Sequence, residues 1–518
     1  MPVAHAHVAI IGTGFGGLGV AVRLLGAGFR DLVLFERADA VGGVWRDTVY
    51  PGAACDCESH LYALRDAPNA AWSRRFASQP EIRAYLETVS RTHGVLPHVR
   101  FRHDVHAAVW DDRAALWRIA TSGGDWTASV LVSASGALAE PRIPALPGLD
   151  SFAGPVVHTS RWDAGLDLAG RRVAVVGTGA SAVQVVPEIQ PLAAHLTLFQ
   201  RTPAHVIPRM DHAHGAALRR VPGLRALVRA ALYAQHEIVG LLYRVRPIAA
   251  LVERLPRWHL ARQVADPELR RRLTPADRFG CKRVLVSDRF YPALTRPNVT
   301  VTGAAVSVRP TAVVDAAGVE HPADVLVFAT GFHVLDLPVA DRITGRTGRT
   351  LAETWAGAPV AHVGTTVVGF PNLFLIQGPN ASLGHSSVVL TIEAQADHLV
   401  NALRAMERAQ AVAVEPRAAA QAAFAAEVDR RSAGSVWTSG CRSWYLDASG
   451  RNAALWPGSV GAFRRRVAPF RPAEYHLRLH AARPRRGARA VWRAERASAR
   501  PASLWRLVRA RARRLGPG

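Results

Sequence analysis

Cysteine is scarce in this chain, with only Cys55, Cys57, Cys281 and Cys441 among 518 residues. They form no Cys-x-x-Cys pair, which excludes zinc ribbons and dithiol-redox motifs. A chain this long needs no disulfide framework to hold a core, so all four are expected as reduced, structural thiols. A membrane-length apolar run is also missing. The most apolar helical stretch, ALVRAALYAQHEIVGLLY, is broken by Arg229, His236 and Glu237, which are costly in lipid. No charged leader and apolar segment precede the first buried strand, so no signal peptide is expected and a reducing cytoplasm is the expected setting. Acidic residues are outnumbered 40 to 64, a formal charge of +24. Half of that excess lies in residues 471–518, which hold 14 Arg against 2 Glu. The body is only moderately basic, and nucleic-acid binding is not indicated.

What is present is a large globular chain, 49% hydrophobic and long enough for two or three domains. Near its start, HVAIIGTGFGGLGVAVRLLGAGFRDLVLFER reads as strand, glycine turn, helix, strand. Gly12, Gly14 and Gly17 match G-x-G-x-x-G: a tight turn, a close backbone approach to pyrophosphate, and close helix–strand packing. The pyrophosphate would meet the helix N-terminus, where free N–H groups favour an anion. Glu36 ends the second strand, where a carboxylate can accept both ribose hydroxyls.

A second unit, RRVAVVGTGASAVQVVPEIQPLAAHLTLFQRT, carries Gly177, Gly179 and Ala182 as G-x-G-x-x-A. Its strand ends in Gln200, Arg201 and Thr202 with no acid. A carboxylate there would repel a 2′-phosphate and an arginine can pair with it, so this site is expected to take NADP rather than NAD. Two such loops imply two dinucleotides, most simply a flavin and a nicotinamide. VLVSASGAL and DVLVFATGF each run a strand into a small-small-Gly turn, with Gly136 and Gly331 at the bends, as expected where the chain passes between nucleotide domains.

Between the loops lies FAGPVVHTSRWD, which reads as neither strand nor helix yet holds Phe152, Gly154, His158, Trp162 and Asp163. At this point the chain resembles the class B flavin-dependent monooxygenases, most closely the Baeyer–Villiger monooxygenases. The stretch matches their pattern F-x-G-x-x-x-H-x-x-x-W-[PD]; related N- and S-oxidising enzymes usually end it in Tyr or Phe. GGVWRDTVYPGAACD resembles a second family signature ending in an aspartate, here Asp56. FGCKRVLVSDRFYPALTRPNV resembles the segment carrying an active-site Lys-Arg pair, here Lys282 and Arg283. The likeness runs from residue 8 to about 470.

The resemblance implies FAD and NADPH as cofactors and a reaction in which a flavin peroxide attacks a ketone, giving an ester or lactone. It implies Arg283 as the fixed cation beside the developing charge and Asp56 as its partner. Lys282 would join Arg201 and Thr202 at the 2′-phosphate. Trp45 and Tyr62 would flank the isoalloxazine or pack in the core, and Val44, Ser181 and Gln184 would add cofactor contacts. His158 and Trp162 would anchor a hinge rather than act as acid or base. No metal is expected. The partners are a small ketone and dioxygen.

The expected fold is α/β with two Rossmann-like domains. The FAD domain takes residues 1–150 and 330–470, and the NADP domain 151–329 with a helical insertion at about 203–275 covering the active site. The end of the ordered body carries Trp444 and Trp456. Residues 471–518 are an Arg-rich tail, expected either disordered or as a short basic amphipathic helix in weak contact with anionic lipid. An N- or S-oxidising monooxygenase and a flavin reductase without oxygenation stay open as alternatives.

Overall fold

A computed structural model describes residues 3–242 and 252–479. Two sheets organise it, the larger mixed and the smaller parallel. The larger has eight strands, in the order Ile343–Thr344, Val105–Asp111, Leu116–Thr121, Gly124–Ser133, Ala4–Ile11, Leu32–Phe35 and Val99–Arg100, with Leu373–Leu375 pairing on Gly124–Ser133. Val8, Ile10, Val130 and Val132 are fully buried, as continuous apolar runs must be in a strand covered on both faces. The helix Phe15–Gly26 lies on one face and packs against Val388–Ala409, so chain from both ends of the sequence builds this domain.

The smaller sheet has five strands, all parallel, in the order Val299–Thr302, His195–Phe199, Arg172–Val176, Val325–Phe328 and Val156–His158. It has its own core around Val175, Val185, Leu196, Leu198 and Val327. The architecture is therefore the expected α/β pair of Rossmann-type units, and the larger sheet takes strands from both residues 4–133 and residues 343–375.

Three expectations need correcting. The linker contains structure: Val156–His158 is an edge strand, in register with Leu326–Phe328, followed by a 3-10 turn at Thr159–Arg161. Gly154 is needed there because a Cβ would sit 2.0 Å from the Asp324 carbonyl oxygen. The tail begins later than expected. Tyr475–Leu479 pairs antiparallel with Ala411–Pro416, and Tyr475 is buried at 2% exposure. Residues 480–518, with the proposed basic helix, lie outside the described residues. Finally, Cys281 and Cys441 are joined as a disulfide across 160 residues, while Cys55 and Cys57 are free and buried. Short spacing carries the sequence signal for cysteine pairing, and this pair has none.

The insertion is helical, with Ala216–Arg220, Pro222–Leu242, Arg254–Gln263 and Pro267–Leu273. Its longest described helix lies on the first domain: Arg229 donates to the Ala63 carbonyl at 3.1 Å, and Glu237 accepts from the Gly461 N–H at 2.8 Å. Among the described residues no helix is long and apolar enough to cross a membrane.

Candidate active site

The two glycine loops are built alike. Gly12 has φ +98°, and a Cβ there would lie 2.8 Å from the Ala134 carbonyl oxygen; Gly177 has φ +117°, and a Cβ would lie 2.4 Å from that of Ala329. Ala134 and Ala329 belong to the two small-small-Gly stretches, whose bends Gly136 and Gly331 also have positive φ. Each small residue closes the back of one loop. Gly17 must lack a side chain because a Cβ would strike the Gly12 carbonyl oxygen at 1.9 Å. Gly14 and Gly179 cap their helices with no side-chain bond, and neither first turn holds an acid. The helix N-termini thus present free N–H groups and positive dipole ends. These cradles, which side chains would fill, fit dinucleotide pyrophosphates.

Glu36, buried, is already engaged. Its carboxylate accepts from the Thr13 hydroxyl at 2.6 Å, from the Ala38 N–H at 3.0 Å, and pairs with Arg46 at 2.9 Å. The expected ribose contact has to share these oxygens. Val44 and Trp45 sit in the short helix Val44–Asp47. The Trp45 indole N–H donates to the Tyr62 hydroxyl at 3.0 Å, with the rings in a T-shaped contact at 5.7 Å, and Tyr62 in turn meets Phe15 edge-on at 4.7 Å. The pair stands beside the first loop as a rigid aromatic wall.

The YPG stretch joins the two domains. Gln184, on the helix Ala180–Ile189, accepts from the Tyr50 hydroxyl at 2.7 Å and from the Ala54 N–H at 3.3 Å, and donates to the Ala54 carbonyl at 3.0 Å. Gly52, at φ +81°, passes so near that a Cβ would lie 2.9 Å from the Gln184 carbonyl oxygen. Ala182 is fully buried and Ser181 half-buried on that helix. Gln184, expected at a cofactor, makes interdomain bonds.

Asp56 follows this junction. Arg283 donates to both of its oxygens, from Nε and Nη2, each at 2.7 Å. This is a fork–fork ion pair between residues 227 apart in sequence. Burial alone would raise the Asp56 carboxyl, but the Arg283 guanidinium overrides it and holds the group below the ordinary carboxylate range. In return the Asp56 charge drives Arg283 further up, so it stays charged at any working pH. Arg209, which the sequence reading missed, is a second cation here: it contributes to the Asp56 field and donates to the Cys55 carbonyl at 3.4 Å. Nothing in its local sequence marks it; the junction of two domains brings it there.

Lys282 is the one lysine among 64 cationic residues. Its Nζ donates to the Thr202 hydroxyl at 3.0 Å and pairs with Asp277. Arg201 and Thr202, adjacent in sequence, are exposed just past the strand His195–Phe199. Asp277 was not anticipated, and an incoming phosphate must compete with it for Lys282.

His158 is buried and accepts at Nδ1 from the Ser160 N–H at 3.2 Å, which leaves the proton on Nε2 in the neutral ring. Nε2 has no partner of normal geometry among the described residues. Burial lowers the imidazole to about 4, so it is neutral near pH 7. Its ring meets Phe332, beside the Gly331 bend, at 5.6 Å. Trp162 is buried in the core of the second domain. Cys57, Glu58 and His236 bring three ligand-type atoms within 4.8 Å of one another. The carboxylate, however, is committed to Arg75 at 3.0 Å and His236 at 2.8 Å, which makes the group an ion-pair network fastening the insertion.

Two dinucleotide cradles, one in each domain, with an ion pair at the junction between them, define a protein that binds two dinucleotides. The comparisons with known proteins narrow the class. Residues 5–345 match the model of the flavin-binding monooxygenase-like family. The chain is 48% identical over 481 residues to a Baeyer-Villiger monooxygenase of Streptomyces coelicolor, covering 91% of this chain and 93% of that one. It is 43% identical over 483 residues to a Baeyer-Villiger monooxygenase of Pseudomonas aeruginosa, covering 91% and 92%. Among solved structures, cyclohexanone monooxygenase from Rhodococcus sp. Phi1 bound to NADP+ superposes with a TM-score of 0.83 at 27% identity, covering 92% of this chain and all of that one. The chain belongs to the flavin-binding monooxygenase-like family, and is an FAD- and NADP-dependent oxidoreductase.

Proposed function

We propose that this chain is a Baeyer–Villiger monooxygenase, inserting one oxygen atom of dioxygen beside a ketone carbonyl to give an ester or lactone. The observation that carries the reading is the Arg283–Asp56 pair, a permanent cation held at the junction of the two domains. Bound FAD supplies the electron-transfer and dioxygen chemistry, which no side chain of the protein can provide. The protein's own part is positioning and charge.

Arg283 stabilises negative charge as it develops on the ketone oxygen. A guanidinium suits this because it remains charged and does not act as a proton donor. Asp56 sets its orientation through two bonds, so little reorganisation is needed as charge appears. Lys282, Arg201 and Thr202 hold the 2′-phosphate of NADPH. The two glycine loops hold the pyrophosphates, and Trp45 with Tyr62 walls the flavin ring. His158 and Trp162 fix the edge strand that joins the domains. We also infer a cytoplasmic setting, with weak contact of the basic tail to anionic lipid; this rests on the sequence pattern alone.

The test is to incubate the FAD-loaded protein with NADPH and a panel of cyclic, linear and aryl ketones, alongside amines and sulfides, and to analyse products by mass spectrometry. Ketone products one oxygen heavier, appearing at the rate of NADPH consumption, are expected. Oxidation confined to the amines and sulfides would refute the reading.

A further inference from the structure

Four consecutive residues of the catalytic loop are each tied to a different place. The Gly280 carbonyl accepts from the Trp437 indole N–H at 3.1 Å, Cys281 is bonded to Cys441, Lys282 is held by Thr202 and Asp277, and Arg283 is held by Asp56. Two of these ties, at Gly280 and Cys281, lead to one segment, Val436–Tyr445. That segment packs with the late part of the chain: the Ala453 and Ala454 N–H groups both donate to the Tyr445 carbonyl, at 3.0 and 3.2 Å. Tyr445 is buried and lies within the electrostatic field of Arg283. The disulfide therefore connects the loop bearing the cation to the domain opposite.

We propose that Cys281 and Cys441 are positioning residues whose disulfide is a redox-controlled clasp, closing the catalytic loop onto the Val436–Tyr445 segment so that Arg283 keeps its place while NADP(H) exchanges. The proposal rests on the functional reading above. Its redox character follows from chemistry and access. Cys281 is 1% exposed, whereas Cys441 is half-buried and reachable, so exchange begins at Cys441. When the clasp opens, the Val436 carbonyl 3.1 Å from the Cys441 sulfur is a ready acceptor for the new thiol. In a reducing compartment, disulfides are mostly transient and regulatory rather than structural.

Closure with hydrogen peroxide forms the S–S bond, breaks the O–O bond and releases two waters, taking one proton from each thiol. Opening by a dithiol breaks the S–S bond and gives each sulfur one proton, while the dithiol becomes a cyclic disulfide. Hydrogen peroxide is what an NADPH-oxidising flavoprotein releases when oxygen fails to reach substrate, so the oxidant arises at the site it would tighten.

The experiment uses the full-length, FAD-loaded protein treated with peroxide or with dithiothreitol. Peptide mapping without reductant should give a linked Cys281–Cys441 peptide in the oxidised sample only, with Cys55 and Cys57 alkylated only after denaturation. The NADP+ dissociation rate, read without any ketone, should rise several-fold on reduction. Cys441→Ser and Cys281→Ser/Cys441→Ser proteins should resemble the reduced form and ignore the reagents. Product formed per NADPH should fall in parallel, and reoxidation should restore it in the unaltered chain alone. Two free thiols after peroxide, or equal NADP+ dissociation in both states, would overturn the clasp. Neither result depends on the ketone reaction, so failure of the proposed function is seen separately. If the serine variants do not fold, comparing the oxidised and reduced unaltered protein still decides.

Discussion

Replacing Arg283 by alanine would separate charge stabilisation from nucleotide binding. The guanidinium gives two bonds of 2.7 Å to Asp56 and contacts neither glycine loop, so both nucleotides should still bind. Loss of one preorganised donor in a dry site costs roughly 2.7–4 kcal/mol, a 10²- to 10³-fold drop in kcat. The structural cost should be smaller. Breaking a fully buried ion pair costs about 3–5 kcal/mol, chiefly from the charge left behind. Here Asp56 is 22% exposed, Arg283 is 33% exposed, and Arg209 remains beside the carboxylate. About 1–2 kcal/mol of stability is therefore expected, scaled down from that buried-pair figure. The assay measures NADPH consumption, hydrogen peroxide and ester in one reaction, with FAD content and Tm as controls. The variant should keep FAD and oxidise NADPH, but divert it to peroxide. Arg283→Lys should recover little, because an ammonium cannot reproduce the forked contact. Ester per NADPH within a few-fold of the unaltered protein would remove Arg283 from the mechanism.

Other outcomes follow from the same geometry. NADPH should be preferred over NADH by at least about tenfold, one charge-assisted phosphate contact being worth roughly 1.5–3 kcal/mol; Arg201→Ala should erode this, and equal use of both coenzymes would refute the assignment. As the one lysine, Lys282 should be the sole side-chain site of an amine-directed reagent, and NADP+ should protect it; labelling indifferent to NADP+ would take Lys282 away from the phosphate. His158→Ala should bind both nucleotides yet release hydrogen peroxide, since misplacement by about 1 Å can cost on the order of 100-fold; an unchanged ester-to-NADPH ratio would reduce it to packing. The protein should also be acid-labile. Burial holds His60, His158 and His398 at about 4, below the ordinary 6.5, so their contribution is complete above pH 6.5 and is lost as pH falls towards 4. Three such groups give a slope approaching 4 kcal/mol per pH unit near pH 5, and urea unfolding that is flat between pH 8 and 5 would contradict it.

Some of this was legible in sequence because local geometry leaves a local signature. Gly12, Gly17 and Gly177 are dictated by backbone contacts within a few residues or with an adjacent strand, so their spacing announces them. The pairing of Asp56 with Arg283 was reached through family likeness, since neither neighbourhood names the other. Arg209, Asp277 and the Cys281–Cys441 bond had no signature, because each acts across a long separation fixed only by domain docking. The edge strand Val156–His158 was missed since three residues are too few to show alternation. In YHLRL the alternation is present, with Tyr475 and Leu477 two apart, but the surrounding arginines led the charge reading to override it.

The site is thus a property of the boundary between domains, and one consequence unites its parts. Asp56 stands on chain from the first domain and Arg283 on chain from the second, so their separation reports the docking of the two. Gln184, Gly52, the Glu58–His236 contact and the cysteine pair touch that docking in four places. Each nucleotide cradle, in contrast, is complete within its own domain. Perturbing the boundary should therefore leave both nucleotides bound, changing NADP+ exchange at most several-fold, and spoil chiefly the coincidence of cation, flavin and nicotinamide. NADPH would continue to be oxidised while oxygen transfer fails, since hydride transfer makes no demand on Arg283 and charge development on the ketone does. A cation whose partner lies on the opposite domain makes coupling, more than binding, the quantity this architecture controls.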